Sequence, residues 1–315
     1  MEAAATVELD GQYRALREEA GFIVRERSMA HVRGPDAIEY LQGQLTNDLE
    51  GLTTGQGCYA ALLDRKGHIQ GDLRVLILHS DDVFLDFEPA AAAAVMRHLT
   101  MYSVGRDLEV ADATGEWVIV SVIGPRAAHA TGFEGLGPEH AQSFRSWAGV
   151  DVLGVATDAG VDLIARASDR DALLRLLEGA GLPEVSEEAT EIIRVESSRP
   201  RFGREMTSAT MPQEAGINER AVSFEKGCYI GQETVARLHY RGKPNRYLRG
   251  LRLDAPAANG DPIVAGEKEV GRVGTAVLSP ALGPVALAVV RREAEPGSRV
   301  AVGEQNSAEI VELPF

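Results

Sequence analysis

One short pattern occurs twice in this chain. Val32-x-Gly34-Pro35-x-Ala37 recurs as Val122-x-Gly124-Pro125-x-Ala127. Each copy follows a β-type run and precedes a helix-compatible one. Proline is tolerated in the first turn of a helix, and glycine before it permits the tight entry. Two copies are too few for a solenoid. They imply two similar α+β subdomains, each entered from strand to helix.

The elements around the echo fit that division. A helix is predicted over 12–20, capped by Asp10 and ended by Gly21. Strands are predicted over 57–63, 69–78 and 83–87, the first two around an Asp64–Gly67 turn, and a proline-led helix over 89–102. The second subdomain shows strands over 117–122, 143–147, 150–156 and 161–165. A helix follows over 169–178 with Ser168 as cap, and another over 187–197. After Pro244 the chain becomes short β-type runs cut by Gly, Pro and Asn: 247–253, 270–278, 285–290 and 299–302. Such spacing suggests a small barrel or sandwich. The expected division is 1–240, in subdomains of about 1–112 with 190–240 and 113–189, followed by a β-domain over 241–315.

At 315 residues the chain can bury more than one core. No apolar run approaches the roughly 20 residues of a membrane helix. Residues 1–10 carry acids and no basic, apolar leader, and the two cysteines lie far apart. The expectation is a cytoplasmic protein with free thiols and no membrane partner. A net charge of −15 argues against DNA and leaves only weak contact with tRNA. The charge is uneven, however. Eleven basic and five acidic residues lie between Arg199 and Arg252. That island is either a solvated face or an anion site.

Nucleotide motifs are wanting. Gly55-Gln56-Gly57-Cys58-Tyr59-Ala60 matches Gly-x-Gly-x-x-Ala but precedes a strand rather than a helix. Gly242-Lys243 runs into Pro244, not Ser or Thr. The seven histidines are scattered. No His-Glu-x-x-His or paired cysteines occur, so no metal site is expected from this chain alone.

The densest chemistry is Lys226-Gly227-Cys228-Tyr229-Ile230-Gly231-Gln232-Glu233. A thiol beside a cation near a helix start shifts toward thiolate, whereas most cysteines merely pack. The segment resembles the signature of the YgfZ-type folate-binding proteins, relatives of the glycine-cleavage aminomethyltransferase. Val32–Ala37, Tyr40–Asp48, Arg194–Glu196 with Gly203–Glu205, and Met211–Gly216 resemble further blocks of that superfamily in the same order.

The resemblance implies ferredoxin-like folate-binding subdomains and a C-terminal β-barrel around a central cleft. It implies binding of tetrahydrofolate or a derivative, and service to iron–sulfur client proteins, including tRNA-modifying enzymes. Glu196 would hold the pterin, because a carboxylate can accept two parallel hydrogen bonds from its edge. Cys228 would be the reactive or cluster-contacting thiol, with Cys58 structural. Lys226 and Arg237 would lower its pKa or meet an anion. Tyr229, Gln232 and Glu233 would shape the site. Tyr59 either stacks on a folate ring or belongs to the core. Asn47 and Asp48 are read as closing a turn.

Asp72 separates two functions. The transferases carry Gly-Gly-Ile-x-Asp-Asp where this chain has Gly67-His68-Ile69-Gln70-Gly71-Asp72. Loss of one acid at Gly71 argues against aminomethyl transfer, although Asp72 could still act. The alternatives are a folate-dependent one-carbon transferase using Asp72, and an RNA-binding factor using the basic island.

Overall fold

The computed structural model describes residues 2–315. Helix α1 (Glu2–Glu18) leads into strand β1 (Gly21–Arg25), and two units of the same order follow. The first is β2 (Ser28–Arg33), α2 (Ala37–Gln44), β3 (Gly57–Leu63), β4 (Ile69–His79), β5 (Asp82–Phe87) and α3 (Ala92–Tyr102). After β6 (Glu109–Asp112) the second is β7 (Trp117–Ile123), α4 (Ala127–Thr131), β8 (Gln142–Trp147), β9 (Val150–Thr157), β10 (Gly160–Arg166) and α5 (Arg170–Gly179).

Each unit builds an antiparallel sheet, ordered β3-β4-β5-β2-β6 and β8-β9-β10-β7-β1. The two orders match strand for strand. The leading strands are exchanged: β1 pairs with β7 of the second unit, and β6 with β2 of the first. The echoed glycines do the same job twice. Gly34 has φ 132° and Gly124 has φ 130°. A Cβ on Gly34 would lie 2.6 Å from Leu108 Cα, and one on Gly124 would lie 2.8 Å from Ala20 Cα. Glycine alone lets the exchanged strand's lead-in pass so close.

Helices α2 and α3 cover the outer face of the first sheet, burying Tyr40, Leu41, Val95 and Leu99 against Leu73, Val75 and Leu85. In the second unit Leu173 and Leu177 of α5 pack on Val120 and Leu163. The inner faces meet through Met29, Leu76 and Phe84 on one side and Ile119, Leu153 and Ile164 on the other.

Helix α6 (Glu187–Glu196) begins at Ser186, whose hydroxyl accepts from Ala189 N at 3.2 Å. It packs on α1 through Ile192, Tyr13 and Leu16. Short helix α7 (Asn218–Ala221) and α8 (Gln232–Arg241) precede the final domain. There β11 (Arg246–Leu253), β12 (Pro262–Ala265), β13 (Lys268–Arg272), β15 (Gly283–Arg291), β16 (Arg299–Val302) and β17 (Asn306–Val311) close a six-stranded barrel, since β11 pairs with both β15 and β17. Strand β14 (Thr275–Ser279) follows β13 along the same side of β15.

Two expectations are corrected. Helix α1 runs through Asp10 and Gly11, so Asp10 caps nothing. The single strand expected over 270–278 is broken at Gly274, where a Cβ would lie 2.9 Å from the Glu205 side chain and 3.0 Å from Leu287 O.

Gly124→Ala should therefore destabilise the protein by about 1–3 kcal/mol through backbone strain alone. Urea denaturation measures this. An unchanged midpoint would show that residue 124 adopts an ordinary negative φ at no cost to the fold.

Candidate active site

Beside the apolar contact of the sheets lies a cleft of about 1030 Å³, walled by both inner faces and by α6. Strand alternation puts charge into it. In β4, Leu73 and Val75 face the outer helices, while Asp72 and Arg74 face the cleft. Asp86 is the cross-strand neighbour of Arg74.

These charges are paired. Arg74 donates to Asp86 Oδ2 at 2.7 Å and, across the cleft, to Asp162 Oδ2 at 2.6 Å. Arg27 donates to Asp86 Oδ1 at 3.0 Å and pairs with Glu88. Burial opposes ionisation, yet Arg74 and Arg27 hold the Asp86 carboxyl below its usual range. Glu88 accepts from Arg201 at 3.0 Å, and Arg201 donates to Glu187 at 2.7 Å. Arg194 grips Glu191 through two bonds of 2.7 and 2.8 Å.

Asp72 stands apart from this network. Its Oδ2 accepts from the Tyr59 hydroxyl at 2.8 Å. Its Oδ1 is buried with no hydrogen-bond partner among the described residues. Burial raises its carboxyl above the usual range, against the pull of Arg27 and the Tyr59 bond. The Arg220 guanidinium lies 5.1 Å from the centroid of the Tyr59 ring. Tyr59, Asp72 and Arg220 all line the cleft.

Position 71 faces the other way. A Cβ there would sit 2.8 Å from both Ala91 Cβ and Val95 Cγ2, under the helical layer. The acid lost at Gly71 is thus no loss to the cleft, and the reasoning against transfer based on it is corrected.

Of the expected site residues, the structure brings Tyr59 and Asp72 together in the cleft, and Lys226 and Tyr229 together outside it. Glu196 is elsewhere. Its carboxylate is engaged by Tyr13, Arg17 and Ser279, its side chain is 2% exposed, and it is not a lining residue. Glu196, expected to hold a ligand, is placed as a tie between α1, α6 and β14. The cleft-facing carboxylates of α6 are Glu187 and Glu191.

The signature segment also lies outside the cleft lining. Lys226 Nζ donates to the carbonyls of Gln42, Leu45 and Asn47 at 2.6, 2.8 and 2.7 Å, closing the end of α2. Burial pulls the ammonium down to about 8, so it keeps its proton at neutral pH. It is committed to backbone, not to an anion. Tyr229 is buried with Leu63, Ile69 and Val235. Gly231, at φ 86°, brings the start of α8 onto the β3–β4 turn, where a Cβ would meet Asp64 O at 2.6 Å. Gln232 begins α8, and Glu233 and Arg237 are exposed on it. Cys228 is exposed.

The basic island divides. Arg199, Arg201, Arg204 and Arg220 line the cleft, whereas Arg237, Arg241, Lys243 and Arg246 are exposed on and after α8. Sequence reasoning missed Arg27, Arg74, Asp86 and Asp162. For Arg74, Asp86 and Asp162 a signal was present, charges set within strands otherwise apolar; Arg27, in the β1–β2 connection, carried none.

Residues 5–132 match the GCVT N-terminal domain, and residues 246–315 match the glycine cleavage T-protein C-terminal barrel domain. The aminomethyltransferase of Rubrobacter xylanophilus is 29% identical, with 98% of this chain and 86% of that protein covered. That of Exiguobacterium sibiricum is 30% identical, with 96% and 88% covered. The crystal structure of glycine cleavage system aminomethyltransferase T from Bartonella henselae shares the fold: its TM-score is 0.85 at 23% identity, covering 98% of this chain and 89% of that one. The chain is a two-part, barrel-capped α+β protein, and it belongs to the glycine cleavage T-protein (aminomethyltransferase) family. No helix among the described residues is long and apolar enough to cross a membrane.

The two thiols should differ in reactivity. Burial pushes the Cys58 thiol up to about 12, while Cys228 is exposed. Near neutral pH, Cys228 should alkylate at least ~100-fold faster, as read by peptide mass spectrometry. Equal rates would mean that the β3 edge opens readily.

Proposed function

We propose that this protein is a folate-dependent one-carbon transferase that takes a reduced folate in the central cleft, with Asp72 as its working carboxylate. The observation that carries this is Asp72 Oδ1, a buried acceptor with no partner, beside an aromatic ring. The names of the relatives add weight to the same reading.

The cleft suits such a ligand. Its volume is at the upper end of the roughly 300–1,000 Å³ typical of small-molecule pockets. Tyr59 offers a ring to a pterin, and Asp72 Oδ1 accepts from a ring N–H. Glu191, held flat by Arg194, accepts from the amino edge. Arg17, Arg199 and Arg204, all lining residues, are placed to meet tail carboxylates. A bound reduced folate supplies the nitrogens that carry the one-carbon unit.

The chain's own part is to orient and to hold a proton. With its carboxyl raised by burial, Asp72 is a better proton acceptor than a solvent carboxylate. The Tyr59 phenol holds Oδ2, so proton exchange falls to Oδ1. Expulsion of water from the cleft strengthens both contacts.

Reduced folate should bind the wild type in calorimetry. Asp72→Asn should weaken binding by about 1.5–3 kcal/mol, the scale of a hydrogen bond to a charged group, and should abolish ammonia release from an aminomethylated carrier protein. Activity should fall on the acid side with an apparent pKa above the ordinary carboxylate range, because protonation removes the acceptor. Unchanged affinity and turnover in a folded Asp72→Asn protein would remove Asp72 from the reaction.

A second reading, YgfZ-type service to iron–sulfur client enzymes, draws on one observation: the signature leaves Cys228 exposed while burying its neighbour Tyr229. Cys228→Ser should keep the fold and lose client-enzyme activity in cells. Full complementation by that variant would end this reading and leave transfer untouched.

A further inference from the structure

We propose that Arg220 is the positioning residue of the cleft. It fixes the Tyr59 ring so that the phenol occupies Asp72 Oδ2 and leaves Oδ1 as the free acceptor. Use of Oδ1 by a folate rests on the function proposed above; the arrangement of Arg220, Tyr59 and Asp72 does not.

The geometry makes Arg220 the back wall of the ring. Its guanidinium lies over one face of Tyr59 and pairs with Glu139 from the second unit, just before β8. One face of the ring is therefore taken, and only the other can stack on a ligand. The phenol is held at 2.8 Å from Asp72 Oδ2. Without the guanidinium, the ring keeps only its packing on the apolar cluster that includes Met206 and Ile217, and the single phenol bond to Asp72.

Arg220 is itself held in register with β3. Asn47 Nδ2 donates to Tyr59 O at 2.8 Å and to Arg220 O at 3.0 Å, so one amide clamps the two backbones together. Thr46, one residue earlier, clamps the same two segments again, donating to Ala221 O and accepting from Ala61 N at 2.9 Å. Lys226 then holds the Asn47 carbonyl. The signature lysine thus reaches the cleft through Asn47 and Arg220, although it touches nothing in it.

The charged groups facing this pair come from several elements. Asp72 faces Tyr59 from β3, Arg27 from the β1–β2 connection and Glu88 after β5. Tyr59 faces Asp72, Arg220 and Arg27. Burial and Asp72 raise the phenol well above its usual range, so it stays a donor at working pH.

The test reads the Asp72 carboxyl directly in ligand-free protein, by 13C NMR titration with the signal assigned through Asp72→Asn. The phenol bond stabilises the charged carboxylate, so its loss raises the pKa. Tyr59→Phe should shift the titration upward by about one pH unit. Arg220→Gln should shift it in the same direction, and Arg220→Lys should fall between. If Arg220 acted on Asp72 through its charge alone, its removal would raise the pKa even without Tyr59, so the double variant decides. Arg220→Gln with Tyr59→Phe should move no further than Tyr59→Phe alone. Glu139→Gln, which frees the guanidinium without deleting it, should give a smaller upward shift and serves if Arg220→Gln fails to fold. Additive shifts, or a wild-type titration in both Arg220→Gln and Glu139→Gln, would overturn the proposal. Calorimetry with reduced folate on the same proteins separates the two claims. A wild type that binds no folate sinks the proposed function while the carboxyl result still decides the role of Arg220.

Discussion

Arg74 cannot be satisfied by one sheet alone, and the cleft is organised around that fact. Its guanidinium takes Asp86 from β5 and Asp162 from β10, strands that occupy the same place in the two units. The Arg74 side chain is 9% exposed and that of Asp86 2%. Removing one partner of such a buried pair typically costs about 3–5 kcal/mol, because a bare charge is left in low dielectric. The two inner faces are thus pinned at a charged contact beside their apolar one. Around that pin the remaining arginines and carboxylates find each other, and Asp72 Oδ1 is the acceptor left over.

The exchanged edge strands make the halves one body. β1 completes the second sheet and β6 the first, so neither unit closes without the other's lead-in. Helix α6 extends the same coupling to the barrel. One face presents Glu191 and Arg194 to the cleft, and Arg194 also donates to Thr275 of β14 at 2.7 Å. The opposite face sends Glu196 to Ser279 of the same strand. A shift of the barrel would therefore be felt at Glu191.

Much of the architecture was legible in the sequence. The Gly-Pro echo marked equivalent entries, and the run over 57–63 coincides with β3. Strands β12 and β17 escaped notice because one is short and proline-led and the other mixes Asn, Ser and Glu with its apolar positions. The exchange of β1 and β6 leaves no local mark, since pairing partners are not written in a strand's own residues. The sequence pointed to Glu196 alone, because a helix's own residues do not say which face meets the cleft. At 100° per residue Glu191 and Glu196 point about 140° apart, and only the packing of α1 decides which one reaches the cleft.

The signature segment shows why polar, glycine-rich motifs are easily over-read as chemistry. Lysine, glycine, amide and carboxylate suggest a site, yet Lys226 closes α2 and Gly231 lets α8 approach the β3–β4 turn. Such residues are tightly constrained without being catalytic, because Lys226 satisfies three carbonyls at once and no Cβ fits against Asp64 O. The period-2 alternation of β4 cuts the opposite way at Gly71 and Asp72. A loss that looked chemical in the linear sequence falls on the helical side, under Ala91 and Val95, and the carboxylate that faces the cleft is retained. Comparing an Asp-Asp pair by count misleads where strand geometry gives its two members different neighbours, and here that geometry favours a carboxylate still able to serve the folate chemistry proposed for the cleft.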